Sequence, residues 1–135
     1  MQATLLIIDG DPAFRENLGR HLQGNDWQIR FAGGMVEAEK MVKRRNIDVA
    51  LLGMASLKRE GIEILRMIKK LSSQTEVIMI GGSEQIALSI EGMKWGAFDD
   101  FMGPFEIDSL ISRIHDVLGQ RKRKLKDQKS TDFRL

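Results

Sequence analysis

Five short apolar runs, each followed by a segment with helical apolar spacing, constrain this chain more than any other feature. The runs are Thr4–Asp9, Trp27–Ala32, Asp48–Leu52, Val77–Ile80 and Phe98–Met102. Strict alternation of strand and helix signals predicts an α/β fold, with one parallel sheet and helices on both faces. Asp48–Leu52 and Val77–Ile80 are apolar almost throughout, as strands covered on both sides should be. Trp27–Ala32 alternates instead, which marks an edge strand with one wet face. Right-handed crossovers leave few topologies, and the order 2-1-3-4-5 is the common one for five units.

The helices have their own punctuation. Asp11 suits an N-cap and Pro12 the first helical position, so a helix starts there and carries Phe14, Leu18 and Leu22. Gly24-Asn25 stops it. After the Gly33-Gly34 turn, Met35, Ala38, Met41 and Val42 form a second amphipathic helix. Ala55–Glu60 reads as a polar loop, ahead of a third stripe at Ile62, Leu65, Ile68 and Leu71. Ser83 is placed to cap a fourth helix, whose apolar positions are Ile86, Ile90 and Met93 and whose end is Gly96. A fifth starts near Glu106, runs through Ile107, Leu110, Ile111, Ile114 and Leu118, and extends to about Leu125.

Composition narrows the class. At 135 residues the chain is expected to be one domain with a sizeable core. There is no cysteine, hence no disulfide framework, which fits a cytoplasmic location. No apolar run approaches the roughly 18 residues of a membrane span, and no signal peptide is read at the N-terminus. The formal charge of +2 is unevenly spread. Residues 119–135 hold seven Lys/Arg against two Asp/Glu, while the body before them carries a net −3. Residues 1–120 therefore form the expected domain, and 121–135 a basic helix extension with a mobile tail. A basic tail on a mildly acidic body argues against a nucleic-acid-binding fold.

In sheets of this kind, sites lie outside the carboxyl ends of the strands. Those ends supply Asp9, Gly10 and Asp11 after strand 1, Gly53 after strand 3, Gly81-Gly82-Ser83 after strand 4 and Gly103 after strand 5. Glycines after strands are often simple turn residues. The Gly81-Gly82-Ser83 stretch could cradle an anion through backbone N–H groups. His21 and His115, far apart on helices, read as surface or packing residues.

The stretches "LLIIDGDPAF", "IDVALLGM" with Gly61 beyond it, "EVIMIGG" and "GAFDDFMGPF" together resemble the receiver domain of two-component response regulators. The resemblance covers nearly all of residues 3–118 and implies a flavodoxin-like receiver fold. It also implies a site at which a kinase phosphohistidine donates its phosphoryl group to an aspartate ending strand 3. Two acids after strand 1 would hold Mg²⁺, and a Ser/Thr and a Lys would contact the phosphoryl oxygens. Carried over residue by residue, only the first acid, Asp9, is kept. Gly10 stands at the second acid, Gly53 at the phosphoacceptor, Gly81 at the Ser/Thr and Gly103 at the Lys. Asp100 stands at the aromatic switch, with Phe101 beside it, and Leu57 at the usual proline. Gly103-Pro104 matches a bond that is cis in receivers.

The resulting expectation is a phosphorylation-incompetent receiver that acts by protein–protein interaction or dimerisation, with no enzymatic activity. Its partner is expected on the fourth-helix, fifth-strand and fifth-helix face, with Trp95 and Phe101 as anchors. A histidine kinase or an output protein is the partner class implied. No cofactor is expected, with Mg²⁺ only as residual binding at Asp9 and Asp11. Two alternatives stand beside it. One is a conventional phosphorelay receiver. The other is a small phosphatase: Asp9-x-Asp11 resembles the haloacid-dehalogenase motif, and Asp99-Asp100 its late acidic pair, although Pro12 replaces the usual Gly-Thr.

Overall fold

A computed structural model describes the backbone of residues 2–133 and the side chains of residues 2–120. The strands are β1 (Ala3–Ile8), β2 (Trp27–Ala32), β3 (Val49–Gly53), β4 (Glu76–Gly81) and β5 (Asp99–Met102). They form a single sheet in the order β2-β1-β3-β4-β5, and every pairing is parallel. The helices are α1 (Pro12–Leu22), α2 (Met35–Arg44), α3 (Met54–Leu57), α4 (Arg59–Leu71), α5 (Ile86–Lys94) and α6 (Ile107–Phe133).

Strand periodicity divides the core in two. Leu6, Ile8, Ala50, Leu52, Val77 and Met79 point to one face and pack under α2 and α4. Leu5, Ile7, Val49, Leu51, Ile78 and Ile80 point to the other, under α1 and α6. Adjacent residues of the three central strands thus enter opposite cores, which is why those strands are apolar at nearly every position. Full burial of each Leu or Ile favours folding by about 1.5–3 kcal/mol relative to exposure.

The capping residues behave as their chemistry dictates at α1. Asp11 Oδ1 accepts from the backbone N–H groups of Ala13 and Phe14, at 3.0 and 3.4 Å. Gly96 closes α5 with φ +100°, a conformation that favours glycine. At α2 the cap comes from elsewhere in the chain: the Met35 N–H donates to Glu60 Oε2, on α4, at 2.9 Å.

Four expectations need correction. Ala55–Glu60 is not a polar loop: Met54–Leu57 forms a one-turn helix and α4 starts at Arg59, because Met54 and Leu57 are buried and pull the segment against the core. Ser83 does not cap the fourth helix. It opens a 3₁₀ turn over Ser83–Gln85 with no cap bond from its side chain, and α5 begins at Ile86. The last helix continues past Leu125 to Phe133. The expected mobility of the basic tail concerns residues whose side chains lie outside the described set.

The fourth correction concerns α5. Three of its large apolar residues face outward: Ile86 is 51%, Ile90 56% and Met93 42% exposed, while Leu88 packs half-buried against the core. The face turned to the sheet carries Ser89 and Gly92, both buried. A Cβ added at Gly92 would run into the end of the Met79 side chain on β4, so a larger residue there requires that side chain to shift. Replacing Gly92 by valine is expected to displace the Met79 side chain and cost about 1–3 kcal/mol, read from urea unfolding.

Candidate functional site

The carboxyl ends of β1, β3, β4 and β5 form one rim. In register, Ile8 pairs with Leu52, so the next residues along, Asp9 and Gly53, come side by side. Gly53 pairs with Ile80 and Gly81 with Met102, which sets Gly103 beyond them. The Gly103 N–H donates to the Gly81 carbonyl at 2.6 Å, and the Gly103-Pro104 peptide is cis.

Asp9 organises this rim. It is only 3% exposed, one of the few buried polar side chains among the described residues. Its Oδ1 accepts from Ser56 Oγ at 2.7 Å and from the Asp11 N–H at 2.8 Å. Ser56 Oγ in turn accepts from the Gly10 N–H at 2.9 Å, and its hydroxyl also lies 3.2 Å from the Gly53 carbonyl. Arg15 Nη1 donates to the Asp9 backbone carbonyl at 2.8 Å, tying α1 to the end of β1.

Asp9 Oδ2 lies over the backbone of Gly53. A Cβ built at position 53 would stand 1.7 Å from Oδ2 and 2.5 Å from Cγ of Asp9. The carboxylate therefore occupies the space into which any side chain at position 53 would project.

The backbone offers no reason for the glycines of this rim. The only described glycines with positive φ are Gly24 and Gly96. Gly10, Gly81 and Gly103 are not turn residues in the steric sense either. A Cβ at Gly10 would sit 3.6 Å from Ser56, and at Gly103 it would meet only the Gly81 carbonyl, at 3.7 Å. At Gly81 the fit is tighter, 3.3 Å from Gln85. Among the rim glycines, only Gly53 has its Cβ position occupied, and the occupant is the Asp9 carboxylate.

The remaining sequence candidates separate from the rim. Asp11 lies beside it but spends Oδ1 on capping α1. The Gly82 N–H is taken by Gln85 Oε1 at 2.7 Å, so the Gly81-Gly82-Ser83 stretch is not an open anion cradle. Asp99 is held by Arg113 of α6 at 2.6 Å, and neither it nor Asp100 lines the cleft at Asp9. Phe101 turns inward and meets Phe105 edge to face, with centroids 5.4 Å apart. Trp95 is 44% exposed at the end of α5, with the Arg66 guanidinium 3.9 Å over its ring. His115 stacks against Trp27 at 4.9 Å, and His21 Nδ1 lies 2.8 Å from the Asn17 carbonyl.

Sequence reading missed Ser56 and Arg15, the two side chains that hold Asp9 and its backbone. The usable signal for Ser56 was its place three residues past Gly53, where a hydroxyl can turn back to the strand end. Gly53→Ala is expected to displace Asp9 from Ser56 and Asp11 and to destabilise by about 1–3 kcal/mol. Gly103→Ala should stay within about 0.5 kcal/mol of the parent. In the Asp9→Ala background the cost of Gly53→Ala should largely vanish, a coupling that a double-mutant cycle in urea would read.

Residues 5–115 match the response regulator receiver domain. Over 132 residues the chain is 26% identical to response regulator MprA of Mycobacterium ulcerans, covering 98% of this chain and 56% of that protein. It is 28% identical over 118 residues to MprA of Mycobacterium leprae, covering 87% of this chain and 52% of that one. The chain thus spans about half the length of the curated relatives it matches. A CheY-like receiver domain from Methanospirillum hungatei shares the fold, with a TM-score of 0.83 at 22% identity over 92% of this chain and 99% of that one. A receiver domain from Clostridium thermocellum aligns at 27% identity, with a TM-score of 0.81 over 89% and 97% of the two chains. With the match running from β1 into α6, on a sheet of the same architecture, the chain belongs to the response regulator receiver domain family.

Proposed function

We propose that this domain signals by binding a protein partner or a second copy of itself, and does not accept a phosphoryl group. The observation that carries this reading is the Asp9 carboxylate lying where the side chain of residue 53 would be. Glycine at that position has no nucleophile, so no aspartyl phosphate can form there. The metal donors are dispersed as well. Asp9 Oδ1 is engaged by Ser56 and the Asp11 N–H, Asp11 caps a helix, and Gly10 has no carboxylate. That donor set does not fit the Mg²⁺ of a phosphorylating receiver, which needs several free oxygens. Without a lysine at position 103, a bound phosphoryl group would also lack its cationic partner.

The phosphatase alternative gains no support from the geometry. Its general acid would be Asp11, already engaged at the start of α1, and its late acidic pair would include Asp99, ion-paired with Arg113. On this reading the domain is not an enzyme.

The partner surface proposed is α5–β5–α6, centred on α5. Ile86, Ile90 and Met93 recur at i, i+4 and i+7 and make one exposed apolar stripe. Exposed stripes of this kind on a soluble domain mark interaction sites. Trp95 borders the stripe, while Phe101 is turned into the core side of β5. α5 is anchored to α4 by Arg59–Glu91 at 2.7 Å, which holds the Glu91 carboxyl below its usual range and the Arg59 guanidinium above its own.

Two measurements test the reading. Amide NMR with Mg²⁺ and beryllofluoride should leave the ends of β3, β4 and β5 unchanged, and acetyl phosphate should add no mass; stable labelling at any carboxylate would overturn it. Ile90→Asp should abolish self-association or partner binding in sedimentation experiments without changing the fold. Unaltered association would remove α5 from the interface.

A further inference from the structure

At the opposite end of the sheet from the Asp9 rim, the amino ends of β1, β2 and β3 border a groove of about 1000 Å³. That volume lies at the large end of ligand sites, about 300–1,000 Å³. We propose that this groove binds an organic phosphate carrying a planar ring, the chemistry of a nucleotide. The groove shares no residue with the cleft at the rim, so the proposal stands apart from the question of phosphoryl transfer.

Three observations converge on that ligand class. The first is charge. Arg30 of β2 and Arg44 and Arg45 at the end of α2 line the groove. None of the ion pairs among the described residues involves any of the three. Asp26 and Asp48 line the groove too. Asp48 turns Oδ2 to the Thr4 N–H at 2.7 Å, and Asp26 is an exposed residue just before β2. The three guanidiniums outnumber these two carboxylates, and their planar forks match phosphate oxygens.

The second is an unfinished hydrogen-bond account. Arg30 Nε is the one buried side-chain nitrogen or oxygen among the described residues that has no hydrogen-bond partner. A buried guanidinium donor left unmet is costly, and it calls for an acceptor. A phosphate held side-on by Nε and one Nη would supply it, as a charge-assisted bidentate pair.

The third is the polarity of the groove from one side of the sheet to the other. Trp27 and Ile29 belong to the core under α1 and α6. Strand alternation therefore directs Arg30 to the opposite face, the one under α2, which ends in Arg44 and Arg45. On the α6 side the groove is lined by Trp27 and His115, whose rings lie 4.9 Å apart. His115 is exposed, and an aromatic side chain of this kind is a platform on which a flat base stacks. A ligand with a ring at one end and phosphate at the other matches a groove with aromatic side chains on one side and guanidiniums on the other.

The probe for the test is ADP, with adenosine and pyrophosphate as its two halves, followed by ¹H–¹⁵N NMR of the full chain without added Mg²⁺. Saturable shifts are expected at Thr4, Gln28, Arg30, Asn46 and His115. Adenosine and pyrophosphate should each bind about tenfold more weakly than ADP, since each lacks one set of contacts. Arg30→Gln should weaken ADP about tenfold, and so should Arg45→Gln, an exposed position at a helix end where the fold is undisturbed. Lys43→Gln removes the same charge from the same turn of α2 but outside the groove, and should change the affinity by less than about twofold. Equal losses in Lys43→Gln and Arg45→Gln would mark unspecific charge attraction and overturn the proposal. Adenosine or pyrophosphate binding as tightly as ADP, shifts at Gly53, Gly81 and Gly103 instead of the groove, or no shift at millimolar ADP would each overturn it as well.

Discussion

Burial of both faces of the central sheet is the constraint on which the rest of this molecule depends. Because β1, β3 and β4 feed one core with alternate residues and a second core with the others, they have almost no room for polar side chains. Polar chemistry is therefore driven to the strand ends, where the chain leaves the sheet. The parallel arrangement then aligns all the carboxyl ends on one rim. Asp9, Gly53, Gly81 and Gly103 meet there because the registers of four strands require it, although they are spread across most of the sequence.

Within that rim the decisive contact is between a side chain and an absence. The carboxylate of Asp9 extends over Gly53, and Ser56 and the Asp11 N–H hold it there. A side chain at position 53 would need the Asp9 carboxylate to turn aside, and a carboxylate there would add like charge beside it. A single aspartate has become a structural tie between β1, the start of α1 and the one-turn helix that carries Ser56.

That surface follows from the same packing logic. The inner face of α5 carries Ser89, Gly92 and the half-buried Leu88, while Ile86, Ile90 and Met93 are left outside. The periodicity of Ile86, Ile90 and Met93 correctly located a helix but did not reveal which face turned inward. A helical stripe reports that a face is apolar; it does not report what covers that face.

The sequence by itself determined the five β-α units, the parallel sheet, the edge position of β2, the Asp11 cap and the rim positions, because these follow from local periodicity, capping chemistry and the short menu of right-handed crossovers. It also showed which residue types the rim lacks. Tertiary structure alone laid the Asp9 carboxylate over Gly53 and left the Cβ positions of Gly10 and Gly103 open. It alone brought Ser56 and Arg15 to Asp9, turned Phe101 inward and put the apolar stripe of α5 outside. The physical reason is common to all of these. Each depends on how side chains meet once the chain is packed, and no local pattern encodes that distance.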